Sequence, residues 1–494
     1  MKMRLYVLFC LLPGAFISGF TQDQVTVQGK IIGFTPDRLE FVNPINGFAF
    51  PGFREAIALD SSGSFKIQIP LKEPGFVLIF ASMKTGIIIA EPGESYQVVF
   101  EQSGEANSFQ VSGPNEDGQN LYNSLPSPYL AQLEFRTFGE TNDYQVYADK
   151  VNRQKTDQLG KFKELLDQGK ISGSFYRNVL IDRNCYYSAL LSTFPLIKLY
   201  RGQGDSWNPS QYPIELKQQW KQIWTENPPF DPKNLLSPRW YEYAKYYIEY
   251  QKFLGDSVDM DALKQAYKDK LVNTYQIGFV ENLFSDEMAE TYVASLIYEG
   301  CLQKEYEKEW LEIFDRFLIK YPKSMAIPYL EPMVNPVAEY YKSTRSDFTK
   351  QMKFIDHPDQ IKTLAGCLER LKGKKIYVDV WATWCGPCKE EFNYRESLDE
   401  VLEKKGFEVL YISVDKEEKE EQWKEMIKYY RLEGYHIRAN KSFTDDLTRI
   451  FNNNGSLSIP WYLLIDVNGK IISRNASRPS DIDALQEEIG KLGY

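Results

Sequence analysis

A Cys-x-x-Cys motif at the end of a predicted strand constrains the fold of this chain more than any other feature. Residues 375–381 carry β-branched side chains at every second position, which predicts a buried β-strand. Cys385-Gly386-Pro387-Cys388 follows, and proline is well tolerated in the first turn of a helix. Cys385 is therefore expected at a helix N-terminus, where unpaired backbone N–H groups and the helix dipole stabilise a thiolate. Because the thiolate is the nucleophile of disulfide exchange, the motif predicts redox chemistry.

The segment around this motif resembles a known family. Val378 to Phe392 reads VDVWATWCGPCKEEF, which is similar to the active-site segment of the thioredoxin superfamily and most similar to its TlpA/ResA-like branch from bacterial envelopes. The resemblance covers roughly the last 140 residues, and a helix expected after Asp415 matches the insertion typical of that branch. It implies a C-terminal α/β thioredoxin-like fold and a thiol–disulfide oxidoreductase that needs no cofactor.

The resemblance also implies roles for four residues. Cys385 is expected to be the attacking thiolate, exposed at the helix start, and Cys388 to resolve the mixed disulfide. Asp379 lies among apolar strand residues, so we expect it to be buried and to assist proton transfer at Cys388. Glu391 matches a glutamate of the same branch, three residues beyond Cys388 on one helical face. A solvated carboxylate favoured by the helix dipole is an equally good interpretation of Glu391.

A proline before a later strand is expected to help bind substrate. Ile459-Pro460 precedes the predicted strand 461–467, where thioredoxin folds keep a cis-proline. The resemblance implies that the Ile459 backbone pairs with an extended substrate segment. Trp461 departs from the small residue usual at this position, which puts the width of the substrate groove in question.

The residues that flank the cysteines complete the expected site. Trp384, Gly386 and Pro387 are expected to contact substrate, and Trp384 to shield the cysteine pair. An ordinary surface tryptophan would look the same from sequence. The Gly-Pro dipeptide resembles that of reducing thioredoxins, so we expect electrons to flow from this chain to protein disulfides.

A zinc site is the main chemical alternative to a redox pair. Such a site needs a second pair of ligands, and the chain has no other Cys-x-x-Cys. His357 and His436, the two histidines, have no zinc-site spacing to the motif. We therefore predict no metal.

Length and composition place the rest of the chain in further domains. With 494 residues, about three domains are expected, and the fold class is multidomain. We predict an N-terminal antiparallel β-sandwich over 24–112, an α-helical middle domain over 115–345 and a thioredoxin-like domain over 350–494. Aromatic residues recur at helical spacing within 240–254, which is typical of a buried face, although a peptide-binding groove is the alternative. The net charge of −10 argues against nucleic acid as a partner.

The first twenty residues have the plan of a secretory signal peptide. Lys2 and Arg4 precede the apolar run Leu5–Leu12, so residues 1–20 are predicted to be removed on export to the periplasm or cell envelope. Cys10 could suggest a lipid anchor, but the bulky residue before it argues against one. No later stretch reaches 18 uninterrupted apolar residues, so no transmembrane helix is expected.

Three further cysteines are not explained by the motif. Cys185, Cys301 and Cys367 are too few for a disulfide scaffold in a chain of this size. We expect Cys185 and Cys301 to be buried as small apolar residues. A bridge between them is the alternative.

The sequence thus predicts an exported enzyme that reduces protein disulfides, including those met in cytochrome maturation. In an oxidising compartment it would need a membrane electron donor of the thiol-relay type. The rival hypothesis is an envelope binding or scaffold protein, whose cysteine pair is a redox sensor or a vestige.

Overall fold

The structure is a computed structural model that describes residues 24–103, 106–126, 130–138, 141–201, 211–256, 258–451 and 455–493. The predicted signal peptide, residues 1–20, lies outside these ranges. The chain forms two compact units, one ending at Ser295 and the other beginning at Leu296. Within the described ranges, no helix is both long and apolar enough to cross a membrane.

Two four-stranded sheets form the β part of the first unit. The strands are β1 (Gln24–Ile32), β2 (Leu39–Val42), β3 (Arg54–Ala56), β4 (Ser64–Pro70), β5 (Gly75–Ala81), β6 (Lys84–Ala90), β7 (Ser95–Ser103) and β8 (Ala106–Ser112). Their orders are β4-β1-β7-β8 and β3-β2-β5-β6. The pairings are antiparallel, as predicted, except that β1 and β7 run parallel. Alternate residues of β1 and β4 are buried, because one face of their sheet packs on the other sheet.

The strand β5 of the second sheet is buried on both faces. Val77 and Ile79 of β5 belong to the core between the sheets, whereas Phe76 and Leu78 pack against helical residues such as Phe175. This explains why every residue of β5 is buried. The strand β5 therefore separates two apolar clusters, one between the two sheets and one between the sheet and the first helices.

Nine described helices follow the sheets. They are α1 (Glu116–Ser124), α2 (Ala131–Phe135), α3 (Tyr144–Asp167), α4 (Gly173–Arg201), α5 (Ile214–Glu226), α6 (Trp240–Leu254), α7 (Met260–Lys268), α8 (Val272–Leu283) and α9 (Asp286–Leu302). The apolar α4 packs against α2, α3, α5 and α6. The aromatic stripe of α6 is buried, with Trp240, Tyr243, Tyr247 and Tyr250 all at most 6% exposed. The aromatic residues of α6 therefore belong to a buried face, which was one of the two interpretations, and not to an exposed peptide-binding groove.

Helix α1 covers one edge strand of each sheet with side-chain amides. Gln119 accepts from the Ile89 N–H at 3.0 Å and donates to the Ile89 carbonyl at 2.8 Å, along the edge strand β6. Asn120 makes the same pair of bonds with Val111 of β8, both at 2.9 Å. These amides satisfy backbone groups that a sheet edge would otherwise leave unpaired.

A six-stranded sheet forms the centre of the second unit. Its strands are β9 (Met352–Phe354), β10 (Lys375–Trp381), β11 (Phe407–Ser413), β12 (Gly434–Arg438), β13 (Trp461–Ile465) and β14 (Ile471–Ser473), in the order β14-β13-β10-β11-β12-β9. The pairs from β10 to β9 are parallel, and β13 is antiparallel to β10 and β14. The predicted strand at 375–381 is thus the inner strand β10. Its side chains at 376, 378 and 380 face one core and those at 377, 379 and 381 face the other.

Helices cover both faces of this sheet. They are α10 (Glu309–Lys320), α11 (Ile327–Ser343), α12 (Leu364–Leu368), α13 (Gly386–Glu391), α14 (Arg395–Lys405), α15 (Glu420–Tyr429), α16 (Lys441–Phe451) and α17 (Ile482–Lys491). Helix α15 occupies the position expected for the insertion after Asp415, and α11 packs against it. Residues 296–345 therefore belong to the same compact unit as 350–494. The domain boundaries inferred from sequence stay a prediction.

Candidate active site

The cysteine pair lies where β10 turns into α13. Cys385 is the N-cap residue of α13, and its Sγ accepts the backbone N–H of Cys388 at 3.2 Å. Pro387 occupies the first turn, as its fixed φ favours. The two sulfurs form a disulfide bond, with the Cα atoms 5.3 Å apart. The strand-to-helix corner predicted from the motif is therefore present.

Cys385 is less accessible than expected. It is 4% exposed and Cys388 is 1% exposed, so the prediction that Cys385 is exposed at the helix start is wrong for this disulfide-bonded state. The disulfide turns the Cys385 Sγ towards Cys388, whose N–H approaches it. Cys385 is still the more accessible of the two residues. Trp384 is 57% exposed beside it, Gly386 is half-buried and Pro387 is exposed, so this side of the motif meets solvent.

The loop between β10 and Cys385 is held by buried polar groups that sequence reasoning missed. The backbone N–H of Thr383 donates to both carboxylate oxygens of Asp415, at 3.1 and 2.9 Å, and the Thr383 hydroxyl donates at 2.8 Å. Ser413 also donates to Asp415, at 2.8 Å. On the other side, Lys389 Nζ donates to the Thr383 carbonyl at 3.0 Å. The loop is thus fixed from two sides, although nothing in the sequence spacing connects Asp415 with Thr383.

Asp379 lies on β10 with its carboxyl group in an aromatic environment. Tyr462 of β13 and Tyr411 of β11 are its register partners on the neighbouring strands. Asp379 is 1% exposed, and its Oδ1 has no hydrogen-bond partner among the described residues. Burial raises the pKa of Asp379 well above its ordinary value, and the negative charge of Glu391 raises it further. A carboxyl group of this kind can exchange a proton closer to neutral pH.

Glu391 is bound by a distant loop. It is 7% exposed, and its two carboxylate oxygens accept the backbone N–H and the hydroxyl of Ser480, at 2.9 and 3.0 Å. The Arg478 guanidinium lies 3.7 Å from Glu391 Oε1. A solvated first-turn carboxylate is therefore the wrong interpretation of Glu391. Sequence reasoning missed Ser480 because 89 positions separate the two residues.

The peptide bond between Ile459 and Pro460 is cis, as the resemblance implied. Trp461 is the first residue of β13 and pairs with Val380 near the carboxyl end of β10. Pro460 therefore lies at the end of β10 from which the chain continues to Cys385. Both residues of the cis bond are half-buried. The Trp461 indole is buried in the core and donates to the Arg474 carbonyl at 2.6 Å. This large side chain therefore points into the core.

The other three cysteines of the described ranges form no disulfide bond. Cys185, Cys301 and Cys367 are free and buried, so the alternative of a bridge between Cys185 and Cys301 is wrong. Burial raises the pKa of Cys301 and of Cys367 to about 12, which keeps both thiols protonated. Among the residues that the structure describes, no group of three or more His, Cys, Asp or Glu side chains could hold a metal ion.

The sheet, the cis-proline and the cysteine pair at a helix start define the C-terminal part as a thioredoxin-like redox domain. The Redoxin family matches residues 362–487. The thiol-disulfide oxidoreductase ResA of Bacillus thuringiensis subsp. konkukian (strain 97-27) is 31% identical over 125 residues, which cover 25% of this chain and 67% of that protein. The chain therefore belongs to the ResA-like thiol-disulfide oxidoreductases.

Two further relatives give the extent of the similarity. A ResA protein of Bacillus cereus is 32% identical over 107 residues, 22% of this chain. The match spans 57% of that protein, little more than half its length. The crystal structure of the thioredoxin domain of a thiol-disulfide oxidoreductase from Bacteroides vulgatus is 27% identical, with a TM-score of 0.21, and the match covers 25% of this chain and 83% of that one. The Redoxin match begins at residue 362, beyond the β part and the helices of the first unit.

Proposed function

We propose that this chain is an exported thiol–disulfide oxidoreductase that reduces disulfides of proteins in the bacterial periplasm. The observation that carries the proposal is the Cys385–Cys388 disulfide at the start of α13, with Cys388 N–H directed at the Cys385 sulfur. The same N–H can stabilise a Cys385 thiolate once the bond is reduced. The basic N-terminal segment with its apolar run supports export.

The reaction begins with the reduced pair. The Cys385 thiolate attacks one sulfur of a substrate disulfide and forms a mixed disulfide with it. The substrate S–S bond breaks, and its second sulfur leaves as a thiolate. Trp384 and the backbone at Ile459, beside the cis-proline, are the groups expected to hold the substrate segment at this stage.

Cys388 completes the transfer. Its thiol loses a proton, and its sulfur attacks Cys385 Sγ, which forms the disulfide seen in the structure and releases, as a thiolate, the substrate sulfur that was bound to Cys385. Two electrons have then passed from the cysteine pair to the substrate. Asp379 is the carboxyl group proposed to accept the Cys388 proton, because burial raises its pKa, and the negative charge of Glu391 raises that pKa further.

The proposed direction of electron flow rests on the Gly386-Pro387 dipeptide and its likeness to reducing thioredoxins. The oxidised pair must then be reduced again, and in an oxidising compartment a membrane thiol-relay donor is the natural source of electrons. Cytochrome maturation is one process that supplies such disulfides.

Reduction of insulin by the full chain with dithiothreitol tests the activity. Cys385→Ser should abolish the catalysed rate, whereas Cys367→Ser should retain it, because Cys367 is buried and free. The proposed function is wrong if the wild-type chain does not exceed the rate with dithiothreitol alone.

Trapping experiments test the substrate class. Cys388→Ser should accumulate mixed disulfides through Cys385, because the resolving sulfur is missing. Periplasmic proteins recovered with this variant, but not with the Cys385→Ser, Cys388→Ser double variant, would be the substrates. A reduction potential close to those of strong oxidants such as DsbA, about −120 mV, would reverse the proposed direction.

A further inference from the structure

A buried lysine follows the second cysteine. Lys389 lies in α13 and is 1% exposed. Its Nζ donates to the carbonyl oxygens of Gln303, Lys304 and Thr383, at 3.0, 2.9 and 3.0 Å. An ammonium group has three N–H donors, and here the number of acceptors matches. Lys389 therefore connects the active-site loop to the segment that follows α9.

At the active-site loop, this connection holds Thr383, which lies close in sequence to the attacking sulfur of Cys385. Thr383 lies two residues before Cys385. Asp415 fixes its N–H and hydroxyl, and Lys389 fixes its carbonyl. The Cys385 N–H in turn donates to the Ala382 carbonyl at 3.0 Å. Loss of the lysine would leave a buried carbonyl without its donor and free one side of the loop.

The segment 303–306, at the other end of the connection, is held by side chains of the same compact unit. Residues 303–306 include Lys304 and Tyr306, with φ of 52° and 53°, a left-handed backbone that non-glycine residues rarely adopt. Lys304 forms an ion pair with Glu390 of α13. The Tyr306 hydroxyl lies 2.6 Å from that of Tyr430. Such a backbone persists only where its surroundings hold it, and the carbonyl bonds from Lys389 are part of that support.

We propose that Lys389 is a positioning residue that makes residues 303–306 a structural part of the active site. The inference rests on the proposed function and deepens it. Lys389 does not touch the reacting sulfurs. It sets the geometry of the loop that carries Trp384 and Cys385, and it couples that geometry to the segment leading from α9 to α10.

The chemistry of the buried group argues against simple filling of space. An apolar side chain of similar length would pack at no electrostatic cost, whereas a buried ammonium is unfavourable unless its donors are satisfied. Burial lowers the pKa of Lys389 to about 8, so the charge is retained at neutral pH only because the site suits it. The three hydrogen bonds to carbonyl oxygens compensate for the burial of this ammonium group.

The test compares three variants of the full chain. Lys389→Met keeps the length of the side chain without donors, and Lys389→Gln keeps a shorter donor group. Lys404→Met is the matched control, because its side chain is 75% exposed in α14. Three quantities are measured: hydrogen exchange of peptides covering 302–308 and 381–386, kcat and KM for insulin reduction, and the pH midpoint for alkylation of Cys385 by iodoacetamide.

The expected result is coupled loosening of both segments. In Lys389→Met, amide exchange in both peptides should accelerate roughly tenfold or more, because both segments open more readily once their carbonyl groups lose the lysine donor. The kcat should fall roughly tenfold, since a misplaced reacting group slows the chemical step. The alkylation midpoint should move to higher pH. Lys389→Gln should lie between, and Lys404→Met should match the wild type.

Two results would overturn the proposal. One is faster exchange in only one segment, or in neither. The other is a fall in thermal stability with kcat and the alkylation midpoint unchanged, which would make Lys389 merely structural. If Lys389→Met does not fold, the same readouts on Lys389→Gln decide. If the wild type fails to reduce insulin, the proposed function fails, while the exchange and alkylation results still decide the role of Lys389.

Discussion

Replacing Asp379 by Asn should make the second unit more stable at neutral pH while slowing its chemistry. The carboxyl group is 1% exposed, one of its oxygens has no hydrogen-bond partner among the described residues, and Glu391 adds a second negative charge nearby. Each of these features disfavours the ionised form in the folded chain. The amide of the variant has nearly the same shape and no charge.

The magnitude follows from the direction of the pKa shift. The ordinary pKa is 3.8, and the folded value is raised well above it. Below pH 3.8 the carboxyl is protonated in both states and costs nothing. Above that pH the unfolded chain loses the proton first, so the folded wild type loses about 1.4 kcal/mol of stability per pH unit until the folded pKa is passed. The advantage of Asp379→Asn should therefore grow from about pH 4 upwards, at about 1.4 kcal/mol per pH unit, until the folded pKa is passed.

Urea-dependent hydrogen exchange of peptides from β10 and β13 measures this advantage in the second unit alone. Asp359→Asn, at an exposed position, is the control for the change in net charge and should show no such trend. Insulin reduction by Asp379→Asn should be slower by roughly a hundredfold, the usual size of general acid–base assistance. An advantage that is absent at neutral pH, or the same in acid, would refute the argument that Asp379 is a buried carboxyl with a raised pKa.

Three other outcomes can be measured on the same chain. Burial lowers the pKa of His436 from 6.5 to about 4, so the wild type should lose about 3 kcal/mol of stability relative to His436→Phe as the pH falls from 6.5 to 4. Gly300→Ala should destabilise the second unit by about 1–3 kcal/mol, because its Cβ would lie 2.0 Å from the buried Trp310 ring. Gly490→Ala, with no atom within 4 Å of its Cβ, should be neutral or stabilising in denaturant unfolding. Trp384→Ala should raise KM for insulin several-fold and change the free energy of unfolding by less than about 0.5 kcal/mol, since the side chain is 57% exposed.

Local signals explain what could be predicted from the sequence. The strand at 375–381 has an unambiguous alternation, and Cys385 with Pro387 marks a helix start, so the corner of the site could be placed from a short segment. Asp379 was found because an aspartate among strand hydrophobes needs a reason to be buried. The position of Pro460 followed from resemblance and not from a local pattern.

Contacts between distant segments explain what the sequence did not provide. Asp415 reaches Thr383 across 32 positions, and Lys389 reaches the carbonyl of Lys304 across 85. A lysine in a helix of mixed charge looks like a solvated residue, and only tertiary packing buries it. The low exposure of Cys385 likewise follows from tertiary packing, which a local pattern does not show.

Three side-chain amides of α1 limit where a fragment that contains only the N-terminal sheets can end. A fragment ending at residue 112 would lack Gln119, Asn120 and Asn123, which occupy the margins of β6 and β8. It would also leave Phe76 and Leu78 without the helices that cover them. Unpaired backbone groups of edge strands, next to an exposed apolar surface, favour self-association of the fragment into extended sheets. Soluble expression of this region should therefore require a fragment that continues at least through α4, because it then includes the helices that pack against the sheets.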